Sequence, residues 1–252
     1  MAPAREFNAM VDVHAHILPG LDDGPSDLSA SLAMCRLAVA DGITQMAATP
    51  HFCPPFYRHA PREISRAVAA LAQALAREGI PLRLYPGADV SQRADVLGLA
   101  RQGRLPTLAG QGRYFLLEPV QGGLRALAGL ASELRPLGLR PIITHPERLA
   151  EAGRGGWSWL EGLVERGCLV QITAMSLTGG FGAPAQERAE DLLARGLVHL
   201  VASDAHSTGR RPPLLSPARE RLIELVGEAG AERLLRTWPL AVLEGKDHLA
   251  SN

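Results

Sequence analysis

The sequence predicts an α/β fold in which parallel strands close into a barrel, as a single domain over residues 1–252. Three observations lead there. Roughly seven strand-like segments alternate with helical segments at regular spacing, the pattern of a parallel sheet closed on itself. Histidines and acids at positions 14, 16, 51, 89, 118, 145, 204 and 206 all fall at the C-terminal end of a predicted strand, and in a barrel those ends meet on one face. With 252 residues, 46 % hydrophobic and 21 % charged, the chain has the composition of an ordinary globular protein and can bury a large core.

Val11 and Val13 alternate with Asp12, His14 and His16 as in a short strand, which puts both histidines on one face at its end. Ser26 or Asp27 caps a helix whose apolar positions Leu28, Leu32, Met34 or Cys35, Leu37 and Ala38 keep a helical period up to Gly42. Residues 43–49 form the next strand, ending in Thr49-Pro50-His51. The stretch 52–60, with two further prolines and the rings of Phe52, Phe56, Tyr57 and His59, reads as a rim or lid over the strand ends. Pro61 suits a first helical position, and Ile64, Ala67, Val68, Leu71 and Leu75 carry that helix to Gly79.

Residues 82–90 read as one strand through Gly87-Ala88-Asp89, followed by a helix over 93–102. A buried-type strand over 114–117 ends at Glu118 and leads to a helix over about 123–137. Strand 140–144 ends at His145-Pro146-Glu147-Arg148, a helix over about 156–167 leads to strand 168–173, and helix 184–195 leads to strand 198–203 with Ser203-Asp204-Ala205-His206 at its end. Residues 216–245 are mostly helical, and Leu192, Leu193, Leu197, Leu222, Leu225 and Val226 read as core. No linker, repeat or low-complexity tract interrupts the pattern.

Twenty-six basic residues balance twenty-six acidic ones, so there is no global pull toward nucleic acid or an anionic membrane. Lys246 is the only lysine; the remaining cations are arginines, whose guanidinium suits bidentate phosphate recognition. Residues 1–8 hold no apolar stretch of signal-peptide length and no run of about 18 apolar residues occurs, so a cytoplasmic protein without membrane insertion is expected. Cys35, Cys53 and Cys168 are odd in number and lack CxxC spacing, which argues against a disulfide framework and a cysteine zinc site. Six residues after them stand Asp41, His59 and Ala174, so the Cys-x5-Arg loop of a cysteine phosphatase is absent.

His14, His16, His51, His145 and His206, together with Asp23, Asp89, Glu118 and Asp204, make nine candidate ligands at strand ends, too many for one metal and enough for two or three. His59, His199 and His248 lie elsewhere. Mixed imidazole and carboxylate donors accept manganese, iron or zinc, and affinity order alone picks none of them.

The segments Asp12-Val13-His14-Ala15-His16, Leu21-Asp22-Asp23-Gly24, Ala48-Thr49-Pro50-His51, Gly87-Ala88-Asp89, Leu117-Glu118, His145-Pro146-Glu147-Arg148 and Ser203-Asp204-Ala205-His206, with Gly209-Arg210-Arg211-Pro212-Pro213, resemble the polymerase and histidinol phosphatase (PHP) superfamily. Within it they are most similar to the bacterial capsule and exopolysaccharide tyrosine phosphatases. The resemblance implies a distorted (β/α)7 barrel with a trinuclear site, usually of manganese. It implies that His14, His16, Asp89 and Asp204 hold a first metal, that Asp89 bridges to a second held by Glu118 and His145, and that Asp23, His51 and His206 hold a third. Asp89 stands where that group usually has glutamate, and the missing methylene shortens the bridge.

Arg148 and Arg211 match arginines implicated in catalysis in that group. The implied activity is metal-dependent hydrolysis of protein phosphotyrosine by metal-activated water, and the implied partner is the C-terminal tail of a bacterial tyrosine kinase in capsule or exopolysaccharide biosynthesis. Two other readings stay open: hydrolysis of a small phosphoester such as histidinol phosphate, and binding of a phosphotyrosine tail without hydrolysis.

Overall fold

The computed structural model describes residues 9–120, 123–150 and 157–247. Strands β1 (Met10–Ala15), β2 (Ile43–Ala48), β3 (His51–Phe52), β4 (Arg83–Pro86), β5 (Asp89–Ser91), β6 (Tyr114–Glu118), β7 (Arg140–Thr144), β8 (Leu169–Thr173) and β9 (Leu200–Ala202) pair entirely in parallel. They fall into two ladders, β1-β2-β4 and β3-β5-β6-β7-β8-β9. These are consecutive arcs of one barrel. The chain runs from β2 into β3 across Thr49-Pro50 and from β4 into β5 across Gly87-Ala88, and the Gly87 N–H to Ala48 and the Asp89 N–H to Pro50 carry the ladder over both breaks at 3.1 Å. The ring closes where β9 returns to β1: Asp204 N–H donates to the His14 carbonyl and His16 N–H to that of Ala205, each at 2.8 Å. Taking each broken pair as one stave gives the seven staves expected.

The α-helices of the described residues are α1 (Leu28–Ala40), α2 (Pro61–Arg77), α3 (Val96–Arg101), α4 (Leu124–Leu134), α5 (Ser158–Glu165), α6 (Ala174–Leu177), α7 (Ala183–Ala194), α8 (Ser216–Glu232) and α9 (Trp238–Leu243). Asp27, rather than Ser26, caps α1, accepting from the Ala30 N–H at 2.9 Å. Pro61 opens α2, and Glu63 reaches back to the Ala60 N–H at 2.6 Å.

Several expectations need correction. The single strand over 82–90 is two strands on different ladders, because Pro86 lacks an N–H and Gly87 lies where a Cβ would come within 2.7 Å of Leu108 Cδ2. The loop expected over 52–60 begins as strand: β3 includes Phe52, and the segment then folds into a tight turn in which Cys53 N–H donates to the Tyr57 carbonyl at 2.8 Å. The helix expected from 93 starts at Val96, where the Asp95 carboxylate caps the Gly98 N–H at 2.9 Å. The C-terminal helical stretch breaks at Gly227, whose φ of 73° and ψ of 168° are non-helical. Leu225 is 37 % exposed and so is not core, whereas Leu192, Leu193, Leu197 and Leu222 are buried. His248 lies outside the described residues.

Apolar side chains fill the barrel below its C-terminal mouth: Val11, Val13, Tyr114, Leu116, Ile142, Leu169 and Leu200 are all buried, and Val242 and Leu243 of α9 pack against them as a plug. Each such side chain contributes roughly 1.5–3 kcal/mol on burial, so the floor of the barrel is dry and stiff. A second cluster, with Met10, Ile43, Phe115, Ile143 and Val170, joins the strands to the surrounding helices. Cys35 and Cys168 are buried in it, and burial pushes both thiols up to about 12, so neither is a nucleophile.

His199 precedes β9 in a buried position, where its Nδ1 accepts from the Val170 N–H at 3.2 Å and its ring lies 5.9 Å from that of Trp238. Burial, with Arg140 nearby, pushes its pKa down to about 4. In the unfolded chain it titrates near 6.5, so between those values the unfolded state binds more protons and stability falls as pH drops. Urea unfolding at pH 7 and pH 5 is expected to show ~2 kcal/mol less acid sensitivity in His199→Gln than in the wild type. An identical pH dependence in both proteins would contradict the assignment.

Candidate metal centre

The strand ends converge on one polar patch above the apolar floor. The pairing of β1 with β2 shifts register between Asp12 and Ala15, where the chain passes from presenting Val11 and Val13 to the interior to presenting His14 and His16. His51 belongs to β3, Asp89 to β5 and Glu118 to β6, while His145 directly follows β7 and Asp204 and His206 follow β9. Asp23 comes from the loop after β1.

The structure brings all nine expected residues together. His14 Nε2 and His16 Nε2 are 3.2 Å apart, and Asp204 Oδ1 lies 3.4 Å from the first and 3.5 Å from the second. Asp89 Oδ2 is 3.7 Å from His14 Nε2 and 3.4 Å from His51 Nδ1. Asp23 Oδ1 faces His51 Nε2 at 3.5 Å and His206 Nε2 at 3.4 Å. Glu118 stands 4.0 Å from both His51 Nδ1 and His145 Nε2.

Four groups have donor atoms within 4.8 Å of one another: His16, Asp23, His51 and His206; His14, His16 and Asp89; His14, His145 and Asp204; and His51, Asp89 and Glu118. Glu118 groups with Asp89 and His51 and stands equally near His145. Asp89, His14, His16 and His51 are each shared between two groups, which suits adjacent cations better than one isolated ion.

Backbone and side-chain tethers hold this geometry. His145 and Asp204 take left-handed φ values of 36° and 51°, costly for non-glycine residues and characteristic of positions that aim a functional side chain. His145 is fixed by its N–H, which donates to the Gln171 carbonyl at 2.7 Å. The His16 Nδ1 pairs with Asp22 Oδ2 at 2.6 Å and the His14 Nδ1 with Gln171 Oε1 at 2.9 Å, so each ring turns Nε2 to the centre as a lone-pair donor. Below them, the buried Asp12 carboxylate accepts from Ser203 Oγ at 2.5 Å, Ser203 N–H at 3.1 Å and His14 N–H at 3.2 Å, tying β1 to the end of β9.

Whether the residues fit divalent cations is tested by Asp89. Its carboxylate is fully buried, yet neither oxygen has a hydrogen-bond donor. An ionised carboxylate so placed is strongly disfavoured without a counter-charge, and the facing imidazoles are 3.4 and 3.7 Å away. Burial and the neighbouring Asp89 push Glu118 up to about 7. Burial opposes charge on His16, but Asp204 and Asp22 outweigh it and push that imidazole up to about 10. Burial holds the His14, His145 and His206 imidazoles below their ordinary range, which keeps their lone pairs free, and such donors bind transition-metal dications.

Sequence reasoning did not single out Asp22, Gln171 or Phe181. Asp22 has no periodic signal that separates it from Asp23 one residue on, yet it orients His16 and also accepts from the His51 N–H at 2.9 Å and the Gly24 N–H at 3.0 Å. The glycine that follows is required by close approach: a Cβ on Gly24 would lie 2.7 Å from the His16 carbonyl oxygen. Gly24→Ala is therefore expected to displace the Asp22-Asp23 turn and lower metal affinity ~10–100-fold, measured by competition with a chelator. Unchanged affinity would show that the turn does not orient the donors.

Arg148 and Arg211 both reach the rim of the centre. Arg148 Nη1 donates to Asp204 Oδ2 at 2.5 Å, and Arg211 donates to the same oxygen. Asp204 thus turns one oxygen to His14 and His16 and the other to two guanidinium groups. His59, expected outside the cluster, pairs there with the Leu21 carbonyl at 2.6 Å.

A family profile described as "Capsular polysaccharide synthesis, CpsB/CapC" matches residues 10–244. The tyrosine-protein phosphatase YwqE of Bacillus subtilis is 37 % identical over 224 residues, covering 88 % of this chain and 86 % of that protein. The tyrosine-protein phosphatase CpsB of Streptococcus pneumoniae is 27 % identical over 240 residues, covering 93 % and 98 %. Among solved structures, one from the pair YwqE of B. subtilis and CpsB of S. pneumoniae, described as metal-dependent tyrosine phosphatases, superposes with a TM-score of 0.86 at 33 % identity over 94 % of this chain and 95 % of the other. A β-aspartyl dipeptidase from Fervidobacterium islandicum, at 15 % identity and a TM-score of 0.53, covers 92 % of this chain and 72 % of its own and shares the fold alone. Matched over residues 10–244, the chain belongs to the CpsB/CapC family of capsular polysaccharide synthesis.

Proposed function

We propose that His14, His16, Asp23, His51, Asp89, Glu118, His145, Asp204 and His206 hold two or three divalent cations and that Arg148 and Arg211 bind the phosphate of the substrate. The chain is a metal-dependent tyrosine-protein phosphatase of the CpsB/YwqE type. The observation that carries the metal assignment is the Asp89 carboxylate, fully buried, with neither oxygen hydrogen-bonded and the His14 and His51 imidazoles 3.7 and 3.4 Å away. Manganese suits this donor set, as do iron and zinc.

Bound dications supply Lewis acidity, a water of lowered pKa, and neutralisation of phosphate charge. The chain's own residues do the rest. His14 and His16 are fixed in orientation by Gln171 and Asp22, so no reorganisation is needed when a phosphate arrives. Arg148 and Arg211 stand 27 % and 24 % exposed at the rim, each with N–H groups beyond those given to Asp204 for the non-bridging phosphate oxygens. A tyrosine leaving group, with a pKa of about 10, departs more readily than an alkoxide, and the site needs no strong general acid for it.

The Tyr57 ring stacks 5.9 Å from that of His51, and the neighbouring Phe56 is 81 % exposed. These rings give the mouth an aromatic border suited to a phosphotyrosine side chain, which favours that substrate over a small phosphoester such as histidinol phosphate. The partner proposed is a tyrosine-phosphorylated protein of capsule or exopolysaccharide biosynthesis, with the C-terminal tail of a bacterial tyrosine kinase as the specific candidate. Among the described residues no helix is long and apolar enough to cross a membrane.

Chelated protein is expected to lose hydrolysis of a phosphotyrosine peptide and to regain it on addition of Mn2+, with kcat/KM above that for histidinol phosphate. Full activity in the presence of chelator would overturn the metal assignment. Preference for the small ester would move the substrate to the wider superfamily, and binding without phosphate release would favour a docking protein.

A further inference from the structure

Between α6 and α7 the chain reads Gly179-Gly180-Phe181-Gly182. Gly179 and Gly182 take φ values of 79° and 84°, and a Cβ on Gly180 would lie 2.7 Å from Met175 Cε. Hydrogen bonds from Gly180 N–H to Met175 (2.8 Å) and from Gly182 N–H to Gly179 (2.9 Å) close the segment into a tight turn. The three glycines deliver one aromatic ring to the rim of the metal centre. The Arg148 guanidinium carbon lies 4.3 Å from the Phe181 ring centroid and that of Arg211 lies 5.9 Å from it.

Both guanidinium groups are thus held between a carboxylate, Asp204, and an aromatic ring, Phe181. The relation between ring and arginine is itself braced. Glu147, next to Arg148, is fully buried, and its carboxylate accepts from the Thr173 N–H at 2.9 Å and the Ser176 hydroxyl at 2.7 Å. That ties the turn carrying Arg148 to α6, which leads into the Phe181 turn. The opening beside them, a cleft of about 450 Å³, is lined by Phe181, Met175, Asp23, His206, Arg210 and Arg211.

We propose that Phe181 is a positioning residue for phosphate binding: its ring face, set by the glycine turn, holds Arg148 and Arg211 in place so that their free N–H groups meet the phosphate. This rests on the reading that the two arginines bind phosphate. A guanidinium tethered at one point by Asp204 can still swing about that bond. A ring packed against it removes that freedom, and the cation–π attraction strengthens as the site is desolvated.

The test is titration of inorganic phosphate into the Mn2+-loaded full chain by calorimetry, for the wild type, Phe181→Leu and Phe181→Tyr, alongside kcat/KM for phenyl phosphate. Leucine keeps apolar bulk without the ring face, and tyrosine restores it. Phosphate affinity is expected to fall ~10-fold in Phe181→Leu and to recover to within ~2-fold in Phe181→Tyr, with kcat/KM following. Wild-type affinity in Phe181→Leu would overturn the proposal, because apolar bulk alone would then suffice, and so would equal weakening in both variants, because restoring the ring face would then restore nothing. A wild type that does not bind phosphate would overturn it together with the arginine role. A wild type that binds phosphate but hydrolyses no phosphotyrosine peptide would remove the phosphatase reading and leave the Phe181 effect to be read from affinity alone.

Discussion

Asp204→Asn is expected to lower kcat/KM for a phosphotyrosine peptide by at least ~10³-fold while the chain stays folded. Asp204 serves both halves of the site: Oδ1 faces His14 and His16, and Oδ2 receives Arg148 and Arg211. Asparagine removes the charge that joins them. It also tolerates the left-handed φ of 51°, which alanine would hold only with strain, so the variant separates loss of charge from loss of backbone geometry. Steady-state kinetics at saturating Mn2+, with circular dichroism as the check on folding, reads the result. Near wild-type turnover would remove Asp204 from the machinery.

Arg148→Lys and Arg211→Lys are each expected to lower kcat/KM ~10²-fold, most of it in kcat. Lysine keeps the positive charge, so a deficit reports the loss of the planar fork and of its packing on Phe181 rather than of charge. Because both arginines donate to one Asp204 oxygen and lie on one ring, the double variant is expected to lose less than the product of the single losses. Two independent, multiplicative effects would show that the arginines act separately.

The parts of this site legible in the sequence were those tied to strand ends. His14 and His16 sit on a short alternating segment, and Glu118, His145 and Asp204 end apolar runs, so placing the strands placed the side chains. Strand continuity was less legible. β3 has two residues and follows Pro50, too short for any period to register, and the break between β4 and β5 depends on the crowding of Leu108 and Thr49 around Gly87, a contact between distant segments.

The residues that orient the site were least legible. Gln171 is a buried polar residue between the apolar Val170 and Ile172, and only the fold reveals that its partner is His14, 157 positions away. Asp22 and Asp23 are adjacent in sequence with opposite duties, one holding the back of His16 and the other facing His51 and His206. Phe181 stands in a glycine turn that carries no periodic signal. The Asp89 departure from the glutamate usual in the resembling group leaves a carboxylate that still reaches His14 and His51 at 3.7 and 3.4 Å.

The measurement that bears most directly on the convergence of nine donors is the metal content of the purified chain, titrated with Mn2+ after chelation and followed by elemental analysis. Uptake of at least two equivalents per chain, reduced in His145→Ala and in Asp23→Ala, is the predicted result. Retention of less than one equivalent by the wild type, or unchanged uptake in both variants, would contradict it.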